Sequence, residues 1–576
     1  MDKIIGPDEY NIIRSTILKN AVDYNGKARL DTIIARIIAN RPDLRNNIKE
    51  MIPHIKEILD DINKWDIERQ KKELKDIEPD YDSEKKSTKK EYELHPLVNA
   101  IEGGVVTRFP PEPNGYPHIG HAKAAIIDEE YAKMYHGKFI LRFDDTNPLN
   151  EKIEYYDAIT EGLDWLNIKP NLVKNTSDDI ETLHRLGAKL VEHNSAYVCF
   201  CDQNTINQSR KEGLECKCRT NENKIIENKD KFFNEEYNQN EAIVRFRGDL
   251  NSNNTAMRDP TLFRIIESEH PLVGNKTTIW PTYDFAAPIE DSLDGVTHAF
   301  RTKEYELRNE LYRRILEHLK LRIPYVIEFS RLDIDGMPVS KRKIKPLIEN
   351  RIVRGWDDPR LPTLKGLENR GFKPEAIRKF VISLGITLSE TKPSIEILES
   401  FNRKIIDKKC KRLFFIQDPV KVTISKSKNK EIIVKNHPSE DIGTRKIFVD
   451  NTVYISNNDA KNIKIGSEIR LIELFNIKIT SIDAKNKQIE AEYISEDINP
   501  KVLKVQWVSD KEFIKYKINK PGKLFVNEKY NIDSMRIVNG YAESYVSKLE
   551  PGTMVQFVRV GFCKISNNQT ATFTHK

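Results

Sequence analysis

One stretch of this 576-residue sequence restricts the fold more than any other, because it joins two β runs through a proline-rich loop and a helix. Val105–Phe109 is a short β run, and the next eight residues contain four prolines and a glycine, which neither a helix nor a central strand tolerates. Apolar residues recur at near-helical spacing from Ile119, and a second β run follows at Phe139–Phe143. This order predicts one βαβ unit with parallel strands and a right-handed crossover.

Polar residues with binding chemistry follow these two β runs. Ligands of open parallel sheets bind at the carboxyl ends of the strands. The residues expected at that edge are Arg108, His118, His121 and Asp144. Two imidazoles at a helix start favour a phosphate site, because the first turn presents unpaired N–H groups and partial positive charge. Gly120 between them leaves room for a flat ring. The alternative is a loop with two surface histidines, which a short motif by itself would favour.

Length and composition exclude several classes of protein. A chain of 576 residues is long enough for several domains, and no apolar run approaches the ~20 residues that a membrane span needs. The first residues lack the basic-then-apolar pattern of a signal peptide. Six cysteines are too few for a disulfide framework in a chain of this length. We therefore expect a cytoplasmic protein without a membrane segment.

The net charge of +6 hides an asymmetry between the two parts of the chain. Residues 401–576 contain 32 Lys and Arg against 20 Asp and Glu, a charge of +12, so residues 1–400 carry −6. A basic C-terminal third is typical of a protein with a polyanion partner, and nucleic acid is the first candidate. The alternative is that high lysine usage reflects genome composition, and charge alone does not exclude it.

Four cysteines form two close pairs, Cys199 with Cys201 and Cys216 with Cys218, and fourteen residues separate the pairs. Four thiolates have the number and clustering of a tetrahedral structural zinc site. In a reducing cytosol zinc explains such a group better than a disulfide does. Free structural thiols are the alternative, since a C-x-C pair is less usual for zinc than C-x-x-C.

The N-terminal residues predict helices without evident chemistry. The apolar stripe formed by Ile33, Ile34, Ile37 and Ile38 shares one helix face, and Met51, Ile55 and Ile58 continue the pattern in a second helix. The segment Lys71–Glu93 is dense in charged residues and predicts a solvated linker or an exposed helix.

Further strands and β runs complete the pattern. Val296–Arg301 and Tyr325–Ser330 are predicted strands on either side of a helix, and the turn after the second leads to Ser340 and Lys341. Each suspected functional residue thus follows a strand's carboxyl end. From about Ile405, short β runs alternate with polar turns at roughly ten-residue spacing, which is typical of barrels or sandwiches.

Two motifs identify a resemblance to a known family. Pro117–His121, with the sequence PHIGH, resembles the HIGH signature of class I aminoacyl-tRNA synthetases. The preceding string RFPPEPNGY, Arg108–Tyr116, resembles the branch that holds the glutaminyl enzymes and the archaeal- or eukaryotic-type glutamyl enzymes. Val339–Lys343 resembles the second signature, the KMSKS loop, although Pro338 and Val339 replace its first lysine and methionine.

The resemblance implies an α/β fold with a Rossmann-like parallel sheet and several appended domains. The expected boundaries are 1–95 for an N-terminal helical extension and charged linker, 96–195 for the first half of the Rossmann catalytic domain, 196–285 for an inserted tRNA acceptor-binding domain with the cysteine cluster, 286–345 for the second Rossmann half, 346–404 for a helical connecting domain, and 405–576 for two anticodon-binding β-barrels. Bacterial glutamyl enzymes use a helical domain instead of these barrels, so the β pattern assigns the branch. Related glutamyl enzymes carry a zinc-binding insert where the cysteines lie.

The activity implied is a two-step ligase reaction, in which an amino acid and ATP with Mg²⁺ form an adenylate that acylates the terminal ribose of a tRNA. The implied catalytic residues are His118, His121 and Lys341; the ATP-binding residues are His118, Gly120, His121, Ser340 and Lys341; and the amino-acid-binding residues are Arg108, Asp144, Tyr283 and Arg301. Glutaminyl enzymes resemble this chain except for a cysteine at the position of Arg301, and an arginine there suits a substrate carboxylate. We therefore expect glutamate and tRNA(Glu) as substrates and a monomeric protein, and whether tRNA(Gln) is also charged stays open.

Three alternatives remain at this stage. A glutaminyl-tRNA synthetase shares all of these features except Arg301 and the cysteine cluster. A non-catalytic tRNA-binding paralogue is disfavoured by the intact signature residues. A small-molecule nucleotidyltransferase also uses a HIGH-like helix start, but it does not need a basic, β-rich C-terminal third.

Overall fold

The structure is a computed structural model that describes residues 7–23, 26–28, 30, 33–34, 37, 48–78, 94–220, 224–390 and 392–576. The chain divides into two compact units, Met1–Glu93 and Leu94–Lys576. Within the described residues, no helix is long and apolar enough to cross a membrane.

The first unit is helical where it is described. Its α-helices are Pro7–Asp23, Ile48–Ile62 and Ile67–Ile77. Ile33 and Ile37 are fully buried in its core, as are Met51 and Ile55, which confirms the predicted apolar stripes. Ile38 and most of the predicted linker, residues 79–93, lie outside the described residues.

A parallel sheet organises the second unit, as predicted. Val106–Phe109 pairs in parallel with Lys138–Phe143, which pairs in parallel with Leu172–Asn175, a strand that the sequence patterns missed. His298–Thr302 pairs in parallel with Tyr325–Phe329. These two strands lie on the free side of Val106–Phe109, since Thr297 N donates to Val106 O at 2.9 Å. The α/β fold class with a Rossmann-like sheet is therefore confirmed.

Helices cover this sheet and connect its strands. They are the α-helices Ile119–Met134, Ile153–Trp165, Ile180–Glu192, Tyr283–Leu293 and Asn309–Leu319, with 3₁₀ turns at Thr176–Asp179 and Lys303–Arg308. The sheet strands Val106–Phe109 and Lys138–Phe143 are buried along almost their whole length, because helices pack on both of their faces.

A four-stranded antiparallel sheet is inserted between the two parts of the parallel sheet. Its strands, in spatial order, are Ala196–Cys199, Ile243–Phe246, Thr261–Ile265 and Ile279–Pro281. The surrounding helical segments are Gln203–Glu212, Lys217–Thr220 and Ile225–Phe233, with a 3₁₀ turn at Thr255–Met257. This sheet has its own apolar core, built around side chains such as Phe263 and Phe246.

A helical segment follows the parallel sheet. Its α-helices are Lys341–Glu349, Leu364–Arg370, Pro374–Leu384 and Ile395–Ile406, ending in a 3₁₀ turn at Asp407–Lys409. The segment between the first two helices contacts the helix that carries the histidines, because Ile119 N donates to Pro362 O and Leu364 N donates to Pro117 O, each at 2.9 Å.

Two seven-stranded sheets form the C-terminal region. One contains, in spatial order, Lys411–Leu413, Met554–Phe557, Gly561–Asn567, Thr570–His575, Phe513–Pro521, Met535–Glu543 and Phe415–Gln417. The other contains Leu503–Val505, Glu468–Leu471, Asn476–Asp483, Gln488–Ser495, Pro419–Ser425, Thr452–Ser456 and Trp507–Ser509. In each sheet the first and last strands are separated along the chain by one residue, Phe414 or Gln506. One bent segment thus joins the two edges of each sheet, so both are nearly closed barrels, as expected from the β pattern.

Short elements complete the barrels. They are the hairpin strands Lys430–Lys435 with Thr444–Val449 and Phe525–Val526 with Lys529–Tyr530, the helix Asn457–Ala460 and the 3₁₀ turn Ser544–Lys548. Thr444–Val449 alternates exposed and buried residues, which is the pattern of a strand with one face on a core.

Candidate active site

A cavity of about 440 Å³ lies at the carboxyl ends of the parallel strands. The proline-rich loop after Phe109 and the inserted antiparallel sheet also contribute to its walls. The lining residues that the sequence predicted are His121, Asp144, Tyr283 and Arg301. Arg108, His118, Gly120, Ser340 and Lys341 do not line it, but Arg108, His118 and Lys341 each touch a residue that does. Seven of the nine predicted residues therefore lie at this cavity or one contact from it, whereas Ser340 lines a separate cavity with Arg331 and Val339.

The two histidines cap the helix Ile119–Met134 reciprocally. His118 Nδ1 accepts from Gly120 N at 3.1 Å, and His121 Nδ1 accepts from His118 N at 3.2 Å. Their ring centroids are 4.0 Å apart. Burial lowers the pKa of His118 well below its usual value and lowers that of His121 to about 4, with a contribution from Arg331 in both cases. Both rings are therefore neutral at pH 7.

The caps also determine which ring nitrogen can donate. A neutral imidazole that accepts at Nδ1 must carry its proton on Nε2. The Nε2–H groups of His118 and His121 are thus the ring donors left for a ligand. Gly120 is required next to them, because a Cβ at this position would lie 2.9 Å from His118 Cε1 and 3.0 Å from Nδ1.

Asp144 presents one carboxylate oxygen that is not used by the protein. Its Oδ1 accepts from Arg142 Nε at 3.0 Å and from Thr176 Oγ1 at 3.1 Å. Its Oδ2 is buried and has no hydrogen-bond partner among the described residues. Burial raises the pKa of Asp144, while the neighbouring Arg142 acts in the opposite direction. The site thus holds an acceptor whose charge a cationic ligand would compensate.

Asp145, the next residue in the chain, is occupied by hydrogen bonds within the protein. It accepts from Ser177 N at 2.8 Å, from Ser177 Oγ at 2.7 Å and from Tyr156 OH at 2.9 Å. Its carboxylate is fully buried. The two bonds from Ser177 hold the 3₁₀ turn Thr176–Asp179, which precedes the helix Ile180–Glu192.

Arg108 belongs to a buried charge network beneath the cavity. Its Nε and Nη2 donate to the two carboxylate oxygens of Asp291 at 2.9 and 3.1 Å, and its Nη1 donates to Phe300 O at 2.8 Å. Arg142 Nη1 lies 2.9 Å from Asp291 Oδ1, so one carboxylate serves two guanidinium groups. Burial opposes ionisation of Asp291, but the two arginines outweigh it and lower its pKa to about 2. In this structure Arg108 contacts the network and not the cavity.

Arg301 is buried at the cavity and has no carboxylate partner among the residues that the structure describes. Its guanidinium carbon lies 5.6 Å from the ring centroid of Tyr283, 5.1 Å from that of Tyr305 and 5.2 Å from that of Tyr312. Its Nη1 donates to Asn309 Oδ1 at 2.9 Å, and its Nε has no hydrogen-bond partner within the described part of the chain. Aromatic faces attract a cation but leave its N–H donors unsatisfied. A carboxylate in the cavity would satisfy them.

The KMSKS-like segment lies against the proline-rich loop. Ser340 is the N-cap of the helix Lys341–Glu349, and Lys341 Nζ donates to Asn114 O. The same Nζ lies 5.2 Å from the ring centroid of Tyr155. Burial lowers the pKa of Lys341. Because Asn114 lines the cavity, Lys341 is one contact away from it.

Several lining residues were missed by sequence reasoning. They are Glu112, Asp128, Arg264 and Tyr305. Glu112 lies within the quoted signature string, but Arg264 comes from the inserted sheet and Asp128 from the interior of a helix. The sequence neighbours of Arg264 and Asp128 carry no signal of a site, because the place of these two residues at the cavity results from how distant segments pack.

The four predicted metal ligands come together. The sulfur atoms of Cys199, Cys201, Cys216 and Cys218 lie within 4.8 Å of one another. Two of their separations are 4.0 Å, from Cys199 to Cys216, and 3.8 Å, from Cys201 to Cys218. A tetrahedral zinc site with Zn–S bonds of about 2.3 Å has sulfurs about 3.8 Å apart. All four are free thiols, and the cluster could hold a metal ion.

Comparison with known families agrees with this geometry. The family model described as tRNA synthetases class I (E and Q), catalytic domain, matches residues 104–408. Two models described as tRNA synthetases class I (E and Q), anti-codon binding domain, match residues 410–495 and 504–566. Together these models cover the parallel sheet, the inserted sheet and most of both barrels.

Individual relatives are similar over almost the whole chain. A protein named glutamate–tRNA ligase from Nitrosopumilus maritimus is 47% identical over 564 residues, covering 98% of this chain and 99% of the relative. A protein of the same name from Cenarchaeum symbiosum is 45% identical over 563 residues, covering 98% of each. The structure of a glutamate tRNA ligase from Elizabethkingia meningosepticum matches with a TM-score of 0.40 and 20% identity, covering 53% of this chain and 70% of that chain. The family models and the full-length relatives show that this chain belongs to the class I tRNA synthetases of the glutamyl and glutaminyl (E and Q) type.

Proposed function

We propose that the protein is a glutamate–tRNA ligase. It activates glutamate with ATP to glutamyl-adenylate, releasing diphosphate, and then transfers the glutamyl group to the 3′-terminal ribose of tRNA(Glu), releasing AMP. The shared name of relatives at 47% and 45% identity over nearly the full length supports this function.

One observation carries the proposal. The same cavity contains Asp144, with a free carboxylate oxygen, and Arg301, with a buried guanidinium that has no carboxylate partner among the described residues. The α-ammonium group of an amino acid would pair with Asp144, and the carboxylate of an acidic side chain would pair with Arg301. Glutamine offers only a neutral amide, which would leave the buried charge of Arg301 uncompensated. Tyr283 lines the same cavity and would contact the bound amino acid.

The two signature segments, PHIGH and the KMSKS-like segment, would bind the phosphates of ATP. Attack of the amino-acid carboxylate on the α-phosphate places negative charge on phosphate oxygens, which positioned N–H donors and cations stabilise. His118 and His121 supply Nε2–H donors at a helix start, and Gly120 keeps their rings in place. Lys341, with Ser340 beside it, would exchange its hydrogen bond to Asn114 O for one to the leaving diphosphate. Mg²⁺ bound to ATP would supply further charge neutralisation.

Arg108 acts in this proposal through the charge network. It pairs with Asp291, which also pairs with Arg142, and Arg142 in turn holds Oδ1 of Asp144. This chain of contacts orients Asp144 so that its other oxygen remains available to the substrate ammonium. A direct bond from Arg108 to glutamate would require it to leave Asp291.

The tRNA would contact the barrels and the inserted sheet. The anti-codon binding domain models match both barrels, and residues 401–576 carry the excess of basic side chains that a polyanion requires. We propose that the protein is a cytoplasmic monomer that charges tRNA(Glu). Comparing tRNA(Glu) with tRNA(Gln) in one assay will decide whether it charges both.

The cysteine cluster is proposed to bind one structural Zn²⁺. Cys199, Cys201, Cys216 and Cys218 have the sulfur spacing that a tetrahedral zinc ion needs. We expect metal analysis of protein purified without chelator to find about one zinc per chain. The variant Cys199→Ser, Cys216→Ser should lose it, and Cys410→Ser, which removes a thiol outside the cluster, should keep it. Wild-type protein without zinc would contradict this assignment.

The test of function is ATP–diphosphate exchange with glutamate and with glutamine, with and without tRNA, followed by aminoacylation of purified tRNA(Glu) and tRNA(Gln). We expect glutamate to support exchange and glutamine not to. The double variant His118→Ala, His121→Ala serves as the inactive control. Exchange with glutamine alone would make the protein a glutaminyl enzyme, and tRNA binding without exchange would make it a non-catalytic paralogue.

A further inference from the structure

Arg301 is held by a single amide, and that amide has a second partner. Asn309 Oδ1 accepts from Arg301 Nη1 at 2.9 Å, and Asn309 Nδ2 donates to Glu328 Oε1. Asn309 is the first residue of the helix Asn309–Leu319, whereas Arg301 and Glu328 lie on neighbouring strands. Three elements thus meet at this amide.

The two partners determine the orientation of the Asn309 amide. A guanidinium has only donors, so the carbonyl oxygen of Asn309 must face Arg301. A carboxylate has only acceptors, so the NH₂ group must face Glu328. The reversed amide would place NH₂ against the guanidinium and oxygen against the carboxylate. Glu328 therefore holds Asn309 in the one orientation that supports Arg301.

Without this amide, Arg301 and Glu328 are placed to form an ion pair. They are register partners on adjacent parallel strands, so their side chains leave the sheet on the same face. Neither forms an ion pair within 4.0 Å with any residue that the structure describes. A direct pair would satisfy the guanidinium internally. The interposed neutral amide instead supports Arg301 while keeping it out of a direct ion pair with Glu328.

We propose that Asn309, oriented by Glu328, keeps the charge of Arg301 available to the cavity and thereby sets the preference for an acidic over an amide side chain in the substrate. Both are positioning residues, since neither lines the cavity. This inference rests on the proposed function and adds two specificity residues to it. A carboxylate in place of the Asn309 amide would pair with Arg301 and neutralise its charge. The protein would then no longer prefer glutamate over glutamine.

The first test replaces the amide by a carboxylate of the same shape, Asn309→Asp. We expect the ratio of kcat/KM for glutamate to that for glutamine to fall about tenfold or more, because the new carboxylate competes with the substrate for Arg301. The loss should lie mainly in the KM for glutamate, with the KM for ATP unchanged. Asn167→Asp, the same substitution in an exposed turn outside the cavity, is the matched control and should leave this kcat/KM ratio and the KM for ATP unchanged.

The second test separates positioning from charge at Glu328. Glu328→Gln keeps an oxygen that accepts from Asn309 Nδ2 and should retain the wild-type KM for glutamate within about threefold. Glu328→Leu removes the acceptor, frees the amide to rotate and should raise that KM about tenfold. Equal effects of the two variants would contradict a positioning role. Thermal unfolding of each variant identifies any that fail to fold.

The outcomes distinguish this inference from the proposed function. If wild-type protein does not activate glutamate, the function itself is wrong. If it does, and Asn309→Asp has the wild-type preference for glutamate over glutamine, the function stands and the inference is wrong. If Asn309→Asp lowers that ratio, and Glu328→Gln keeps the wild-type KM for glutamate while Glu328→Leu raises it, both the function and the inference are supported.

Discussion

Replacing Arg301 by methionine should leave the stability of the protein nearly unchanged while strongly reducing its activity with glutamate. Arg301 is a buried cation held by one hydrogen bond and three aromatic rings, with an unsatisfied Nε and no carboxylate within the described residues. Its burial therefore costs desolvation energy that no direct ion pair within the described residues offsets. Methionine fills similar space without that cost. We expect the melting temperature of Arg301→Met to stay within about 3 °C of wild type or to rise.

The same substitution should strongly reduce use of glutamate. Removing one partner of a buried, hydrogen-bonded charge pair costs about 2–5 kcal/mol. Since about 1.4 kcal/mol corresponds to a factor of ten, kcat/KM for glutamate should fall about 30-fold to several thousand-fold. Glutamine would lose only a neutral partner, worth about 1 kcal/mol. The preference for glutamate should therefore nearly disappear.

The assay is ATP–diphosphate exchange in the presence of tRNA, with glutamate, glutamine and ATP varied in turn. Arg308→Met is the matched control, because Arg308 is 45% exposed and pairs with Asp284 outside the cavity. The KM for ATP should be unchanged in both variants. A value of kcat/KM for glutamate within threefold of wild type in Arg301→Met would refute the assignment of Arg301 to the substrate carboxylate. A fall of more than about 6 °C in melting temperature would refute the view that its charge is uncompensated.

Two further predictions concern the charge network and the histidines. Arg108 and Arg142 lower the pKa of Asp291 to about 2, below its unfolded value of 3.8, so this carboxylate stabilises the fold above about pH 4 and loses its effect as pH falls towards 2. The difference in free energy of unfolding between wild type and Asp291→Asn, measured by urea titration, should thus narrow by about 2 kcal/mol from pH 6 to pH 2, and a constant difference would contradict this. In Gly120→Ala the new Cβ would lie 2.9 Å from His118 Cε1, so we expect the exchange rate to fall about 10- to 100-fold with the melting temperature nearly unchanged. Wild-type exchange in this variant would show that the ring position does not matter.

Local patterns in the sequence were sufficient for the secondary structure around the site. The prolines of the loop before His118 exclude regular structure, and the period of the apolar residues after it fits one helix. The strands Val106–Phe109 and Lys138–Phe143 lie where the β runs Val105–Phe109 and Phe139–Phe143 predicted them. The strand Leu172–Asn175 was missed because it lies at the edge of the sheet, and Leu172 and Val173 are exposed, so it carries no burial pattern.

The roles of individual charged residues depended on contacts that sequence spacing does not contain. Arg108 follows a strand like a cavity residue, yet its donors go to Asp291, which is 183 residues away in the chain. Arg264 reaches the cavity from the inserted sheet, and no local pattern distinguishes it from a surface arginine. Which partner an arginine takes depends on the carboxylates that the fold brings within reach.

The sequence by itself determined the class of fold, the family signatures and the set of thiols and imidazoles, because these depend on residue type, period and short spacing. Only the tertiary structure decided that Asp144 keeps an oxygen without a hydrogen-bond partner, and that Arg301 has no carboxylate partner, among the described residues. Asp144 and Arg301 became a matched pair of charges on one cavity because Arg142, Thr176 and Asn309 occupy some of their hydrogen-bonding atoms and leave others open. Such availability results from packing between distant segments, which no local pattern records.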